Sequence, residues 1–275
     1  MDTQEIGPPK AVLSRGKKVD MGLEHGGRSL TGASRAVNQD SYYANGNLGL
    51  FVVADGAGGM DNGDVASRLA VFEVRSRFSK DKPETMADRR ETLIAGIQSA
   101  NLEIRKWVKS TGERRMASTI VAVAADGPRC VIAHVGDSRC YRLRDGKVTR
   151  LTDDHTVAAE LARNTGLTDE EARKLPFNNV LSRALGSREK VDVSINEEHL
   201  DWGDILLLCS DGISGAFTDE ELGRVMSHCT ADLNEAASEL VAEARQRIGD
   251  DVTCLLLKWG TTATWRGVRV RTRKA

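Results

Sequence analysis

Acidic side chains stand where apolar runs of this chain end. The run 51–54 (FVVA) ends in Asp55, and the glycine-rich stretch 56–59 follows it. A strand that ends in Asp-Gly places one carboxylate at the edge of a sheet, and the glycines let the backbone approach whatever that carboxylate holds. Two other apolar runs end in the same way, at Asp137 and at Asp211.

Two further acids lie beside strand-like segments: Asp40 just upstream of the first run, and Asp250 just before the apolar run 252–257. Carboxylates gathered at the end of one sheet repel one another, and some are forced neutral unless cations lie between them. Oxygen ligands select Mg²⁺ or Mn²⁺, and no set of histidines and cysteines competes. The pattern therefore predicts two divalent ions, which can share a water and hold both oxygens of an in-line displacement at phosphorus.

An Asp-Gly pair can also be an ordinary turn. Asp126 and Asp145 are interpreted as hairpin turns, because each lies between two short strand-like segments. The segments after Asp55 and Asp211 are not return strands, which favours a functional role for these two. Asp137 lies between two strands, and its own context leaves both interpretations open.

The elements that must position these acids follow from the apolar periodicity. Residues 64–80 and 85–110 each carry an apolar face and predict long helices, and the continuous apolar run 205–209 predicts a central buried strand. Short strands between 119 and 151, joined by tight turns, predict an antiparallel meander. The remaining predicted elements are strands at 21–24, 41–44, 48–54, 191–195 and 252–259 and helices at 157–175, 219–226 and 231–248. Antiparallel strands with segregated helices indicate an α+β fold, a sheet sandwich flanked by helices.

Taken together, the motifs resemble those of the metal-dependent type 2C Ser/Thr protein phosphatases of the compact bacterial kind. They span residues 35–253 in the order typical of that family. In chain order they are RAVNQD (35–40), VADGAGG (53–59), GDSR (136–139), LTDDHT (151–156), NVLSRALG (179–186), LCSDG (208–212) and DDVT (250–253).

The resemblance implies two packed antiparallel β-sheets flanked by α-helices around two core Mn²⁺ or Mg²⁺ ions. It implies that Asp55 bridges the two ions and that the Gly56 carbonyl lies on one of them. Asp211 and Asp250 would complete the shell of the other ion, and Asp40 would contribute mostly through water.

Three further positions take their expected roles from the resemblance. Asp137 matches an acid that holds a third, weaker ion in bacterial relatives. Arg35 matches the arginine that grips the substrate phosphate, for which a guanidinium fork is suited. Residues 156–178 match the variable flap beside the active site.

Three departures from the family pattern occur, at Ala57, at Asp251 and, conservatively, in the stretch 116–119 (MAST). Ala57 stands where many eukaryotic members carry a histidine proposed as the general acid. Protonation of the leaving group then falls to water at the Asp137 ion or to a side chain such as His155, whose alternative role is structural hydrogen bonding. Asp251 replaces a common asparagine, and its extra negative charge is expected to raise metal affinity.

The predicted activity is metal-dependent hydrolysis of phosphoserine and phosphothreonine on proteins, which would reverse a partner Ser/Thr kinase in a signalling system. The alternative is a non-catalytic metal-binding regulator on the same fold. The intact set Asp40, Asp55, Asp211 and Asp250 favours the enzyme.

Composition bounds the remaining possibilities. The net charge of -1 argues against a protein that binds nucleic acid by bulk electrostatics. The five cysteines form no Cys-x-x-Cys pair and are expected to be reduced and buried. No signal peptide or membrane-spanning run is recognised, which predicts a cytoplasmic protein, expected to be a monomer. The expected organisation is a flexible leader (1–17), a catalytic domain (18–259) and a basic tail (260–275), which is interpreted as a solvated extension or a docking segment.

Overall fold

A computed structural model describes residues 23–57, 62–112, 116–168, 171–172, 174–228 and 232–260. The predicted leader, nearly all of the predicted basic tail and Cys229 lie outside these residues. None of the described helices is both long and apolar enough to cross a membrane.

Two antiparallel sheets form the centre of the fold. Sheet A contains, in spatial order, β1 (Leu23–Leu30), β11 (Val252–Trp259), β10 (Ile205–Cys209), β7 (Arg139–Arg144) and β8 (Lys147–Arg150). Sheet B contains β2 (Asp40–Asn45), β3 (Leu50–Ala57), β5 (Ile120–Asp126), β6 (Arg129–Val135) and β9 (Ser194–His199), and the short β4 (Ala117–Ser118) pairs with β3.

The helices cover the outer faces of both sheets. Helices α1 (Gly63–Asp81) and α2 (Met86–Thr111) pack on sheet B, whereas α4 (Asp211–Ser214), α5 (Asp219–His228) and α6 (Leu233–Arg247) pack on sheet A. Helix α3 (Val157–Thr165) lies in the predicted flap. The order of layers, helix–sheet–sheet–helix, agrees with the predicted α+β sandwich.

Strand β3 is apolar on both faces because both faces are covered by other layers of the fold. Leu50, Val52 and Ala54 face the helices on sheet B, while Phe51 and Val53 pack against sheet A. All five are fully buried, because the strand lies between two apolar layers. Truncation of a fully buried phenylalanine such as Phe51 to alanine typically costs about 3–5 kcal/mol of stability.

Several predicted elements are confirmed. The two long helices are present, and the second begins at Thr85, whose side chain forms a capping box with Asp88. Strands 205–209 and 252–259 occur as predicted. The turn between β7 and β8 has positive φ at both Asp145 (50°) and Gly146 (76°), as a two-residue hairpin turn requires.

The predicted single meander is wrong. Strands β5 and β6 belong to sheet B, and β7 and β8 to sheet A. The chain crosses between the sheets directly after Gly136, whose φ of 103° suits glycine and whose missing Cβ would lie 2.7 Å from Thr119.

Two predicted boundaries also change. The strand expected at 191–195 is Ser194–His199, and the helix expected at 157–175 ends at Thr165. It ends there because Gly166 takes the left-handed C-cap conformation. The predicted burial of the cysteines is confirmed for the described ones, Cys130, Cys140, Cys209 and Cys254, which are free thiols.

Candidate active site

Strand ends from both sheets bring the predicted acids together. In sheet B, the β2–β3 ladder pairs Asp40 with Asp55. In sheet A, β10 leads into Asp211 at the start of α4, and Asp250 lies two residues before β11. The Ser210 amide donates to the Thr253 carbonyl at 3.1 Å, which holds these two chain segments side by side.

A cavity of about 210 Å³ lies where these strand ends meet. Its lining includes every predicted site residue except Asp40, namely Arg35, Asp55, Gly56, Asp137, Asp211 and Asp250. A second cavity of about 380 Å³ shares Asp137, Asp211 and Asp250 and extends beneath flap residues such as Thr156 and Ala158. The candidate site is therefore a small acidic chamber that continues into a wider space under the flap.

Burial and mutual repulsion raise the pKa values of these carboxyls. Burial raises the pKa of Asp55 well above its usual range, and the charges of Asp40, Asp211 and Asp137 raise it further. The pKa of Asp211 is also raised, first by burial and then by Asp250. The two side chains share a hydrogen bond, which requires that one of the two carboxyls be protonated.

Two neighbouring carboxyls behave in the same way. The pKa of Asp40 is raised to about 7, mainly by burial, although hydrogen bonds from Thr253 and Ser210 oppose the shift. The pKa of Asp137 is raised to about 8 by burial and by the charges of Asp211 and Asp154. The chamber thus concentrates more negative charge than its buried surroundings stabilise, which is the electrostatic condition that divalent cations relieve.

Individual atoms also fit a cation. Asp40 Oδ2 accepts a hydrogen bond from Ser210 Oγ at 2.7 Å, while its buried Oδ1 has no hydrogen-bond partner. At Asp250, the hydrogen bonds from described residues reach only Oδ1: from Arg35 Nε at 2.9 Å and the Asp251 amide at 2.8 Å. Oxygen-only donors of this kind suit Mg²⁺ or Mn²⁺.

The acids do not converge on one point within the described part of the chain. There, no three His, Cys, Asp or Glu side chains stand in the arrangement of a formed metal site. Instead, Asp250 turns towards Arg35, and Asp55 towards Asp211. Each of these contacts compensates a charge that a cation would otherwise balance.

Gly56 lies in a place that only glycine fits. A Cβ on this residue would lie 1.8 Å from the Gly63 carbonyl oxygen and 2.8 Å from that of Gln39. Its amide donates to the same Gln39 carbonyl at 3.0 Å. The close approach of three chain segments therefore fixes this backbone at the chamber wall.

Arg35 stands at the rim of the chamber. Its guanidinium contacts Asp250 Oδ1 through Nε and Nη2, at 2.9 and 2.5 Å, and donates from Nη1 to Gln39 Oε1 at 3.2 Å. The side chain remains 37% exposed. The arginine is thus tethered beside the acids while part of its fork stays open to solvent.

His155 occupies a structural position. Its Nδ1 accepts from the Gly136 amide at 3.1 Å, its Nε2 contacts Ser194 Oγ at 2.9 Å, and its ring stacks on His134 at 4.6 Å. Burial and the neighbouring His134 lower the pKa of His155 to about 3. The ring is neutral at physiological pH and lines neither cavity, which favours the structural alternative over the proton donor.

Sequence reasoning missed a buried ion pair beside the chamber. Arg139 binds both oxygens of Asp154, from Nε at 2.8 Å and from Nη2 at 2.5 Å, and its Nη1 donates to the Tyr141 hydroxyl at 2.8 Å. Both charged residues line the cavity under the flap. The available signal was their presence in the GDSR and LTDDHT motifs.

Comparisons with known proteins agree with this site. The family model described as Protein phosphatase 2C matches residues 31–249. The serine/threonine phosphatase stp of Listeria monocytogenes is 34% identical over 223 residues, which cover 80% of this chain and 88% of that protein.

Solved structures of similar sequence share the fold. The serine/threonine phosphatase PstP/Ppp of Mycobacterium tuberculosis superposes with a TM-score of 0.78 at 31% identity, covering 87% of this chain and 99% of that chain. A catalytic domain of PstP in complex with two manganese ions has a TM-score of 0.75 at 32% identity, covering 87% and 99%. Because the family model spans most of its length, this chain belongs to the protein phosphatase 2C family.

Proposed function

We propose that this protein is a protein-serine/threonine phosphatase, a metal-dependent hydrolase of phosphoserine and phosphothreonine esters on proteins. The observation that carries the proposal is the chamber itself: strand-end acids of both sheets and one arginine line a single cavity. The names of the similar bacterial phosphatases support it, as does the PstP structure with two manganese ions.

The residues that would hold two Mn²⁺ or Mg²⁺ ions are Asp55, Gly56, Asp211 and Asp250, with Asp40 behind them. When bound, such ions lower the pKa of a shared water and stabilise charge at the attacking and leaving oxygens. The orphan oxygen of Asp40 and the raised pKa values of Asp55 and Asp211 support this assignment. Asp137 would hold a third ion at the chamber edge.

The chain's own groups bind and orient the substrate. The Arg35 fork is placed to donate to phosphate oxygens at the rim, since its side chain is partly exposed there. Ala57 lines the chamber but has no proton to donate. Asp137 also lines the chamber, and the ion that it would hold would supply a water able to protonate the leaving group.

The wider biological setting is part of the same proposal. The substrates are phosphorylated proteins, and a Ser/Thr kinase would form the opposing half of a signalling pair. A cytoplasmic location and a monomeric state complete the proposal. No nucleic acid is expected to take part, because the net charge is -1.

The test is hydrolysis of p-nitrophenyl phosphate and of a phosphothreonine peptide by the purified full chain. We expect turnover of both substrates with Mn²⁺ and its loss when the ion is chelated. Restoration by added Mn²⁺ controls for damage by the chelator. Protein that binds Mn²⁺ but hydrolyses neither substrate would support the non-catalytic regulator instead.

A further inference from the structure

Asp251 is buried beside the site, yet it faces away from the chamber. Its side chain is 3% exposed, and it lines neither cavity. Oδ1 accepts from the Gly32 amide and Oδ2 from the Gln39 amide, both at 2.8 Å. Each oxygen of this carboxylate therefore binds the backbone of another segment, over 200 residues away in sequence.

These two amides are the buried ends of the loop that carries Arg35. Gly32 and Gln39 are buried, whereas residues 33–37 are exposed. Within the exposed stretch, Ser34 Oγ donates to the Gly249 carbonyl at 2.6 Å, and the Arg35 guanidinium binds Asp250. The loop is thus fixed at both ends by Asp251 and held along its length by the adjoining residues.

We propose that Asp251 is a positioning residue for phosphate capture: by binding both ends of the 32–39 loop, its carboxylate holds the Arg35 guanidinium at the rim of the chamber. The inference rests on the proposed phosphatase function, in which Arg35 binds the substrate phosphate. It replaces the expectation that Asp251 acts by raising metal affinity.

The chemistry of the side chain explains why an aspartate suits this place. A carboxylate offers acceptors on both oxygens, whereas the amide of asparagine offers one acceptor and one donor. Asparagine here would set its NH₂ group against one of two backbone N–H groups in a buried setting, and that bond would be lost. The β2–β3 ladder holds Asp40 and Asp55, and the β10–β11 ladder holds the segments that carry Asp211 and Asp250, so the metal ligands should stay in place.

The test is Asp251→Asn in the full chain loaded with Mn²⁺. We expect inorganic phosphate to bind about tenfold more weakly by calorimetry, and KM for a phosphopeptide to rise about tenfold with kcat nearly unchanged, since one charge-assisted hydrogen bond is lost. Mn²⁺ affinity should stay within about twofold, because the ligands do not move. Weaker Mn²⁺ binding with unchanged phosphate binding would overturn the proposal in favour of a charge effect on the metals.

A double-mutant cycle shows whether Asp251 acts through Arg35. In an Arg35→Ala background, Asp251→Asn should weaken phosphate binding no further, because the group that it positions is absent. The same tenfold loss in both backgrounds would overturn the proposal. Asp204→Asn is the matched control: Asp204 is also buried and binds the Asp201 amide and Arg144, far from the chamber. It should lower thermal stability without changing KM.

A milder variant covers the case in which Asp251→Asn does not fold. Ser34→Ala removes only the exposed tether to Gly249. It should raise KM about two- to threefold, and not at all without Arg35; an unchanged KM would count against the loop as the positioning element. Phosphate binding is measured by calorimetry and needs no turnover. If the wild-type protein hydrolyses no substrate, the phosphatase proposal fails, but the effect of Asp251→Asn on phosphate binding can still be tested.

Discussion

Asp55 and Asp211 share a hydrogen bond between their side chains. As candidate metal ligands they should favour ion binding but lower the stability of the metal-free protein. Both carboxyls are buried and have raised pKa values. Their ionised forms are therefore disfavoured in the metal-free protein, and a cation is what makes them compatible with burial. Residues held in this way are expected to lower stability for the sake of function.

For Asp211→Asn we expect Mn²⁺ affinity to fall at least about 100-fold and turnover to be lost, because a charged ligand becomes neutral. The same change should raise the melting temperature of the metal-free protein near pH 8, since a repelling buried charge is removed. Calorimetry and thermal unfolding measure the two effects. Asp126→Asn, at the end of β5 beside a hairpin turn, is the control and should alter neither. Unchanged Mn²⁺ affinity in Asp211→Asn would exclude Asp211 as a ligand.

Asp137 and Ala57 lead to a prediction about the leaving group. Ala57 cannot donate a proton, so protonation of the leaving group would fall to water at the ion that Asp137 would hold. General acid catalysis contributes about 10²–10⁴-fold, and a serine alkoxide needs it far more than a nitrophenolate does. Asp137→Ala should therefore lower kcat about 100-fold on a phosphopeptide and about tenfold or less on p-nitrophenyl phosphate.

The control for this comparison is His155→Ala. It removes a buried ring that stacks on His134 and so should reduce stability, but it should affect the two substrates equally. Equal losses on both substrates for Asp137→Ala would argue against proton delivery from that part of the chamber. A selective phosphopeptide defect in His155→Ala would assign the proton to the histidine.

Among the elements, the end of β3 at Gly56 places the strictest demand on backbone space. Gly56→Ala would put a methyl group 1.8 Å from the Gly63 carbonyl oxygen, at the start of α1. Helix and strand must then separate, and we expect a loss of about 3 kcal/mol, or roughly 6–12 °C in melting temperature. Metal binding should weaken too, because the displaced strand end carries Asp55.

Gly223→Ala is the matched control for this element. It lies within α5, where a Cβ would meet only an ordinary contact at 3.5 Å from Val148. Alanine favours the helix by about 0.5–1 kcal/mol, so stability should be unchanged or higher. Similar melting temperatures for the two variants would contradict the crowding at Gly56.

The elements also show what could be predicted from the sequence. Asp55 and Asp211 were found because an abrupt change from apolar strand to Asp-Gly is a local signal. The pairing of β7 with β10, and hence the division of β5–β8 between two sheets, depends on partners that lie far apart in sequence, from Leu143 with Ile205 to Arg139 with Cys209. The alternation of apolar and polar residues shows which face of a strand is buried, but it does not show which sheet the strand joins. The strand at 194–199 was misplaced because it is rich in acidic residues and half exposed.

The contacts of Asp251 and Arg35 could not be predicted for the same reason. Asp251 binds Gly32 and Gln39, and Arg35 binds Asp250, all across more than 200 residues of sequence. A motif identifies residue types that suit a role. Whether a carboxylate faces a chamber or a backbone amide depends on the packing of two distant segments.

At the scale of the whole molecule, the chamber belongs to neither sheet alone. Asp40 and Asp55 come from sheet B, whereas Asp211 and Asp250 come from sheet A, and Asp137 lies where the chain crosses between them. The apolar layer between the sheets, with Phe51 and Leu208 within it, keeps the two halves of the acid set together. Ion binding across this seam should therefore stabilise the entire fold.

The dependence of stability on pH follows from the same acids. In the metal-free protein the pKa is raised to about 7 for Asp40 and about 8 for Asp137, and it is also raised for Asp55 and Asp211. The other charged groups that line the two cavities are Arg35, Arg139, Arg150, Asp154 and Asp250, and the charge of Asp251 acts on Asp40 from behind the chamber. The unfolded chain releases these protons near pH 4. Between about pH 4 and 8 the folded state thus binds more protons, and its stability falls as pH rises, by up to about 1.4 kcal/mol per pH unit for each such group.

Mn²⁺ should reverse this trend, because only the ionised carboxylates bind it and its stabilisation grows as they lose their protons. We therefore expect the melting temperature with chelator to decrease from pH 5 to pH 8. The melting temperature with Mn²⁺ should exceed it by an amount that grows with pH and reaches about 5 °C or more at pH 8. Asp55→Asn serves as the control, since it lacks one titrating group and one ligand. Its melting temperature with chelator should decrease less with pH, and Mn²⁺ should raise its melting temperature by almost nothing. Parallel curves with and without Mn²⁺ in the wild-type protein would show that the buried acids are not where the ion binds.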